Sequence, residues 1–452
     1  MEERNFSSTE GIFEYLMRFV NVEKGQATEF KLDRMQALAK ALGDPQDCMA
    51  SIHVAGSKGK GSVSTMCARI LQAHGLLTGL YTSPHILRWK ERITLAGDEI
   101  PEAAIIAQMG KIVGLVEGKG PKDFPGGEEP TFFELTTLLA FLVFRSLGCD
   151  SQVVETGLGG RLDSTNILRS NISVITPIEL EHTQFLGTTI PAIAYEKAGI
   201  MKPGKPVFIA DQRPAALDVF KHRAEALNCP LYVLGEQIEI TEPKVGMEGT
   251  ECRIRSRPGA SSALAAMLPP QGHIVRTPMP GLIQAKNMAL AAMAAAELAA
   301  IDLEAITAGL SKAVLPARFQ ILSRNPPVAL DGAHTPESSR LALATMETLF
   351  PGPKMLLFAC AQDKKHGEIA KILAPHFDTI LVTKPGSFKA SDPELAWASF
   401  KAESPGTELV VDTKAAIKRA CTLAKEKNQP LLITGSFYLC AEAMEHIKAI
   451  KA

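Results

Sequence analysis

Ile52-His53-Val54-Ala55-Gly56-Ser57-Lys58-Gly59-Lys60-Gly61-Ser62-Val63 reads as a strand, a glycine-rich turn and the start of a helix. Residues 51–55 are a short apolar run, and residues 63–73 carry apolar side chains at helical spacing. The three glycines let backbone N–H groups turn into one concavity, to which Lys60 and the helix N-terminus add positive potential. Gly56, Ser57, Lys58, Gly59, Lys60, Gly61 and Ser62 are therefore candidate ligands of a nucleotide's phosphates. The match to the general phosphate loop is imperfect. Val54 stands where that pattern has its first Gly, and Gly61 where a Ser or Thr should follow the Gly-Lys pair. The metal-binding hydroxyl must then be Ser62 or come from elsewhere. The competing reading is a βα turn with no ligand, and it leaves Lys60 unexplained, because packing alone has no use for a lysine there.

At 452 residues the chain is too long for one typical core, so two or three domains are expected. Lys plus Arg (48) nearly cancels Asp plus Glu (49), and aromatics are few, so neither charge nor stacking points to nucleic acid. The eight cysteines are scattered with no Cys-x-x-Cys pair, as expected of reduced thiols rather than a disulfide framework or zinc site. Met1-Glu2-Glu3-Arg4-Asn5 is not a signal peptide, and the longest apolar stretch, residues 135–144, is too short to span a bilayer. These features lead us to expect a soluble, cytoplasmic protein with no membrane or nucleic-acid partner; on oligomeric state the sequence is silent, and a monomer is the default.

Along the chain, strands alternate with helices, which argues for a parallel sheet covered on both faces. Helices are expected from Ser7 or Ser8 to about Val20, over 33–42, from Pro101, over 131–147, around Glu196-Lys197-Ala198-Gly199, and over 284–300. Strands are expected at 78–81, 152–155 and 172–176. Residues 236–280 change character, with short β-like pieces and no clear helix, and read as a β-rich appendage to the first domain. Near residues 313–316 the pattern restarts, with strands at 328–331, 355–358, 379–382, 409–411 and 431–434. The expected architecture is α/β: a P-loop ATPase-type parallel sheet domain over 1–313 and a smaller Rossmann-like domain over 314–452.

Polar residues gather just past the strands, where parallel α/β sheets bind ligands. Glu155 closes one strand and suits Mg²⁺ as a hard oxygen ligand, or else serves as a cap or ion-pair partner. Ser83 offers the hydroxyl missing at Gly61, or else caps the turn before Pro84. His182 is a poor Mg²⁺ ligand and equally a structural histidine. By spacing alone, Lys197 is a surface charge paired with Glu196. In the second domain, Asp331 and His334 follow a buried strand, Ser436 follows the last one, and Arg318 reaches phosphates or forms an interdomain salt bridge.

Together these motifs resemble the Mur ligase superfamily, and within it the folylpolyglutamate synthase/dihydrofolate synthase family, over nearly the whole chain. The resemblance runs through His53–Ser62, Tyr81-Thr82-Ser83-Pro84-His85, Glu91-Arg92-Ile93, Thr131-Phe132-Phe133-Glu134 and the stretch from Glu155 to Asn166. It continues through Glu181-His182-Thr183, Glu196-Lys197-Ala198-Gly199-Ile200, Gln284 with Asn287, Arg318-Phe319 and Leu330-Asp331-Gly332-Ala333-His334. The resemblance implies that Lys60 and the loop amides hold ATP phosphates, with Ser83 and Glu155 on one Mg²⁺ and His182 on a second. It implies that Lys197 is the lysine the family carbamylates with CO₂. It also places Asn287, Arg318, Asp331 and His334 around the nucleotide, and His334 and Ser436 toward the substrates.

Some positions depart from the commonest bacterial pattern. Lys58 replaces an Asn, Glu181 an Asp and Thr335 an Asn, and residues 385–389 lack an Arg-Ala pair. The implied reaction is ATP-dependent addition of L-glutamate to a folate, to dihydropteroate, or to both. Two alternatives stay open: a peptidoglycan-type Mur ligase, and a P-loop regulatory ATPase with a protein partner. Thr-Ser-Pro-His and Glu-Arg-Ile after the loop argue against the first, and Lys197 with Asp331 and His334 against the second.

Overall fold

The computed structural model describes residues 6–20, 31–386 and 390–451. The N-terminal pentapeptide and residues 387–389 of the departing 385–389 segment lie outside the described residues. The chain divides into two compact units. One comprises Met1–Glu242, Cys252–Arg276 and Lys286–Val314, and the other Pro243–Glu251, Thr277–Ala285 and Leu315–Ala452.

The first unit is built on eight strands: β1 (Ala50–Ala55), β2 (Thr78–Tyr81), β3 (Ile93–Leu95), β4 (Asp98–Glu99), β5 (Ser151–Glu155), β6 (Ile172–Ile175), β7 (Val207–Ile209) and β8 (Leu231–Val233). Their order is β4-β3-β2-β5-β1-β6-β7-β8. Six pair in parallel, while β3 pairs antiparallel with both β2 and β4. The expected parallel sheet is present, with a short antiparallel hairpin added at one edge. Ala96 and Gly97, both at positive φ, join β3 to β4 in a two-residue turn, too short for any parallel crossover. The central strands are buried on both faces, which is why β1 and β5 read as unbroken runs rather than alternating patterns. Strands β7 and β8, three residues each, carry too little pattern to stand out in the sequence.

The helix Phe132–Ser146 buries most of its length against this sheet. Thr131 and Glu134 close its N-terminus reciprocally: Thr131 N donates to Glu134 Oε2 at 2.7 Å and Glu134 N to Thr131 Oγ1 at 3.2 Å. Glu134 also receives the buried Arg34 guanidinium at 3.0 Å, so this carboxylate joins two helices. The first helix stops at Leu16, with Ser8 as its cap, short of the Val20 expected; Val20 instead bridges to Thr131.

A three-stranded sheet, β11-β10-β9, follows from β9 (Ile238–Gly246), β10 (Gly249–Ser256) and β11 (His273–Thr277). Contrary to expectation this region holds a helix, Ser262–Met267, whose Ser261 cap accepts from Leu264 N at 3.3 Å. Its Ser/Ala composition hid it. The second unit's sheet runs β12-β13-β17-β14-β15-β16, from β12 (Gln320–Arg324), β13 (Pro327–Asp331), β14 (Met355–Phe358), β15 (Thr379–Val382), β16 (Glu408–Leu409) and β17 (Leu431–Thr434). All pairs are parallel except β12–β13, again joined by only two residues. Its core gathers Leu356, Phe358, Phe400 and Leu432.

Candidate active site

In the first unit β1 lies between β5 and β6, with β2 beyond β5. The chain therefore leaves β1 toward one side of the sheet and later returns to the other, and such a switch point opens a crevice at the strands' carboxyl ends. Four strand ends meet it: Gly56–Ser62 after β1, Ser83 after β2, Glu155 closing β5, and Glu179, Glu181 and His182 after β6.

The phosphate loop sits hard against β6. Gly56 has φ +141°, and a Cβ there would lie 1.9 Å from Thr176 Oγ1, so only glycine fits. Ser57 N and Lys58 N donate to Pro177 O, and Glu179 N donates to Ser57 Oγ at 3.0 Å, latching the loop to the segment after β6. Lys60 opens the helix Lys60–Ala73, whose first turn buries Gly61 and Ser62. Asn287 flanks the same turn: a Cβ on Gly59 would lie 2.9 Å from its Oδ1.

Two ammonium groups converge on one carbonyl. Lys60 Nζ donates to Gly56 O at 2.9 Å and Lys197 Nζ at 2.8 Å. Lys197 also pairs with Glu181 Oε1 at 3.0 Å and is only 1% exposed. This corrects the spacing-based reading of Lys197 as a surface charge beside Glu196. Successive helical residues point about 100° apart, so the helix Ile190–Ala198 buries Lys197 while Glu196 turns to Arg161, 2.8 Å away. Burial lowers the Lys197 pKa to about 8, with Lys60 adding to the effect and Glu181 opposing it. Burial works against the charge of Glu181, but Lys197, Lys60 and Lys58 outweigh it and hold that carboxyl well below the usual range. Lys58 Nζ lies 4.0 Å from Glu179 Oε2.

Ser83 N donates to Glu155 Oε2 at 3.0 Å, so these two residues stand side by side. His182, exposed and at φ 47°, heads the short helix Thr183–Leu186. Glu155 and Ser83 offer the oxygen donors a hard cation takes, and this pair fits Mg²⁺; an imidazole fits it poorly. No group of three or more His, Cys, Asp or Glu that could hold a metal occurs among the described residues. Mg²⁺ held by one or two side chains, phosphates and water needs no such cage.

In the second unit Asp331 closes β13 and accepts from Phe319 N at 2.9 Å and Ala333 N at 2.8 Å. His334 Nδ1 donates to Gly332 O at 2.8 Å. The Arg318 guanidinium lies 4.8 Å from the centroid of the Phe437 ring, and the His334 ring meets the same ring edge-on at 5.7 Å. Ser436, just before it, accepts from Tyr438 N at 3.1 Å. Sequence reasoning missed Phe437 as the common support of Arg318 and His334; its place right after the Gly435-Ser436 turn was the available signal. It also missed the buried chain in which His53 Nε2 donates to Thr165 Oγ1 at 2.8 Å and Thr165 donates on to Asp163.

Residues 317–437 match the family model of the Mur ligase glutamate ligase domain. The dihydrofolate synthase/folylpolyglutamate synthase of Bacillus subtilis is 32% identical over 429 residues, covering 92% of this chain and 95% of that one. The chain belongs to the dihydrofolate synthase/folylpolyglutamate synthase family. A solved structure of Mycobacterium tuberculosis folylpolyglutamate synthase complexed with ADP superposes with TM-score 0.86 at 26% identity, covering 97% of this chain and 98% of that one. Escherichia coli FolC in complex with DHPP and ADP does so with TM-score 0.83 at 27% identity, over 99% of both chains. Family membership agrees with the α/β architecture of both units and with the parallel strand ends on which the site is built.

Proposed function

We propose that this chain is an ATP-dependent, ADP-forming ligase that joins L-glutamate to the γ-carboxylate of a folate, to dihydropteroate, or to both. The observation that carries the reading is the meeting of Lys60 and Lys197 on the Gly56 carbonyl, in a chain of this family. The relatives' complexes with ADP and with DHPP support nucleotide and pterin as ligands.

The substrate carboxylate attacks the γ-phosphorus of ATP, ADP departs, and the amine of glutamate displaces phosphate from the resulting acyl phosphate. The first step brings anion to anion. At about 4 Å and an effective dielectric of about 20, each unit pair repels by roughly 4 kcal/mol. Lys60 leaves Gly56 O for the phosphates, and the amides of Gly56–Ser62 and the N-terminus of the helix Lys60–Ala73 supply further donors. Bound at Glu155 and Ser83, with a second ion near His182, Mg²⁺ would neutralise phosphate charge. Asn287, Arg318, Asp331 and His334 act as further nucleotide contacts, and His334 and Ser436 as substrate contacts, with residues 1–313 as the ATP-binding domain and 314–452 as the glutamate-ligase domain. Lys197, with its pKa lowered to about 8, holds a neutral fraction that can take up CO₂ as a carbamate.

The test is phosphate release from ATP by the purified protein with Mg²⁺ and L-glutamate, with dihydropteroate and tetrahydrofolate added in separate assays. Release requiring glutamate and a pterin supports the ligase and names its acceptor. Release indifferent to both pterins, or none above background, overturns it.

A further inference from the structure

The loop from Thr156 to Asn166 runs from Glu155 to the underside of the helix that carries Lys197, and the two are stapled together. Arg161 N donates to Glu196 O at 2.7 Å. A Cβ on Gly160 would lie 2.8 Å from Glu196 O and 3.1 Å from Lys197 Cα, so loop and helix touch backbone to backbone. Asn166 closes the staple. Its Nδ2 donates to Arg161 O and to Gly199 O, both at 3.0 Å, and its Oδ1 accepts from Lys202 Nζ at 2.7 Å. Lys202 Nζ also reaches Asn166 O at 3.0 Å.

Both donors of the amide are therefore spent on carbonyls of two different segments, and its oxygen on a cation. Only a carboxamide offers that set. An aspartate of the same shape would turn an oxygen toward two carbonyl oxygens. Gly199 lies two residues past Lys197, in the turn that caps the helix Ile190–Ala198.

We propose that Asn166 is a positioning residue for the reaction above: its amide fixes the last turn of this helix, and so the point from which Lys197 reaches Gly56 O and Glu181. The inference rests on the ligase reading.

The test compares wild type, Asn166→Asp and Lys202→Met in the phosphate-release assay, with melting temperature measured on each. Asn166→Asp is expected to lower kcat about 10–100-fold, as for a misplacement near 1 Å. The KM for ATP should stay within about threefold and melting should shift only a few degrees, because the phosphate loop has its own latch to β6. Lys202→Met keeps both Nδ2 bonds but frees Oδ1, and should lower kcat by a smaller factor, about 3–10-fold. It carries the test if the aspartate variant does not fold. A wild-type kcat per folded molecule in whichever variants fold, or kcat and ATP KM failing together, overturns the inference. Wild type that shows no glutamate-dependent turnover overturns the ligase reading itself.

Discussion

Lys60 and Lys197 press two cations on the carbonyl of Gly56, and Glu181 stands against them in direct contact with Lys197. Lys60→Met keeps the stem and removes the charge. Charge-assisted hydrogen bonds contribute about 1.5–3 kcal/mol, so the KM for ATP should rise about 10–100-fold. Steady-state kinetics with ATP varied would show this, and a KM unchanged within twofold would contradict the assignment. The buried Lys197 and the half-buried Lys202 also leave a mark on stability. Burial lowers the pKa of Lys197 and of Lys202 to about 8, from an ordinary lysine value of 10.5. Between pH 8 and 10.5 the unfolded chain holds protons that the folded chain has released, so these groups make stability rise with pH in that window. Urea unfolding of wild type and Lys202→Met across pH 7.5–10.5 isolates one of them. The stability of wild type relative to the variant should grow toward high pH. A constant difference would count against the depressed pKa.

Elements, rather than single residues, set the depth of the site. The helix Ile190–Ala198 lies on the loop 156–166 with no room for a methyl group at Gly160. Gly160→Ala must push Glu196 O and Lys197 Cα away. Overpacking of this kind costs about 1–3 kcal/mol, and it should lower the melting temperature and kcat together. Calorimetry beside kinetics tests it, and normal kcat with lowered stability would mean that the helix can shift without moving Lys197 from its partners. The polar chain His53–Thr165–Asp163 braces the same loop from beneath β1, since Asp163 Oδ2 accepts from Leu158 N at 2.7 Å. Burial holds the His53 pKa well below 6.5, so the folded chain resists a proton that the unfolded chain accepts. Acidification below about pH 6.5 therefore removes stability through this group.

For the whole molecule, two compact units with separate cores mean that one melting temperature need not describe one transition. Ligand linkage is still measurable. ADP with Mg²⁺ at about 100 times its dissociation constant should add about 2.7 kcal/mol to whichever transition includes the phosphate loop. Differential scanning calorimetry should show that transition move upward in wild type and move less in Lys60→Met at the same ADP concentration. An equal shift in both would remove Lys60 from the nucleotide site. With Lys plus Arg at 48 and Asp plus Glu at 49, no global field competes with this local one.

Much of this was legible in the chain itself. A short, mostly apolar run such as residues 51–55, followed by glycines and a lysine, reads as a buried strand that opens into a turn, and so it stands in the fold. The strands at 78–81, 355–358, 379–382 and 431–434 were fixed by the same local pattern. The short strands β3 and β4 were not, because two or three residues carry no period, and the antiparallel pairing of β12 was not, because it depends on the tight turn joining it to β13. Nor could spacing place Lys197. Helical periodicity says which residues share a face, but burial depends on what the tertiary fold lays against that face. The glutamate that holds Lys197 comes from 16 residues away, and the carbonyl it shares with Lys60 from 141. The sequence by itself determined the longer buried strands, the phosphate loop and the kinds of residue at their ends. Only the tertiary structure decided which of those ends meet, because contacts between distant segments are set by strand order and packing, and neither is written in any local pattern.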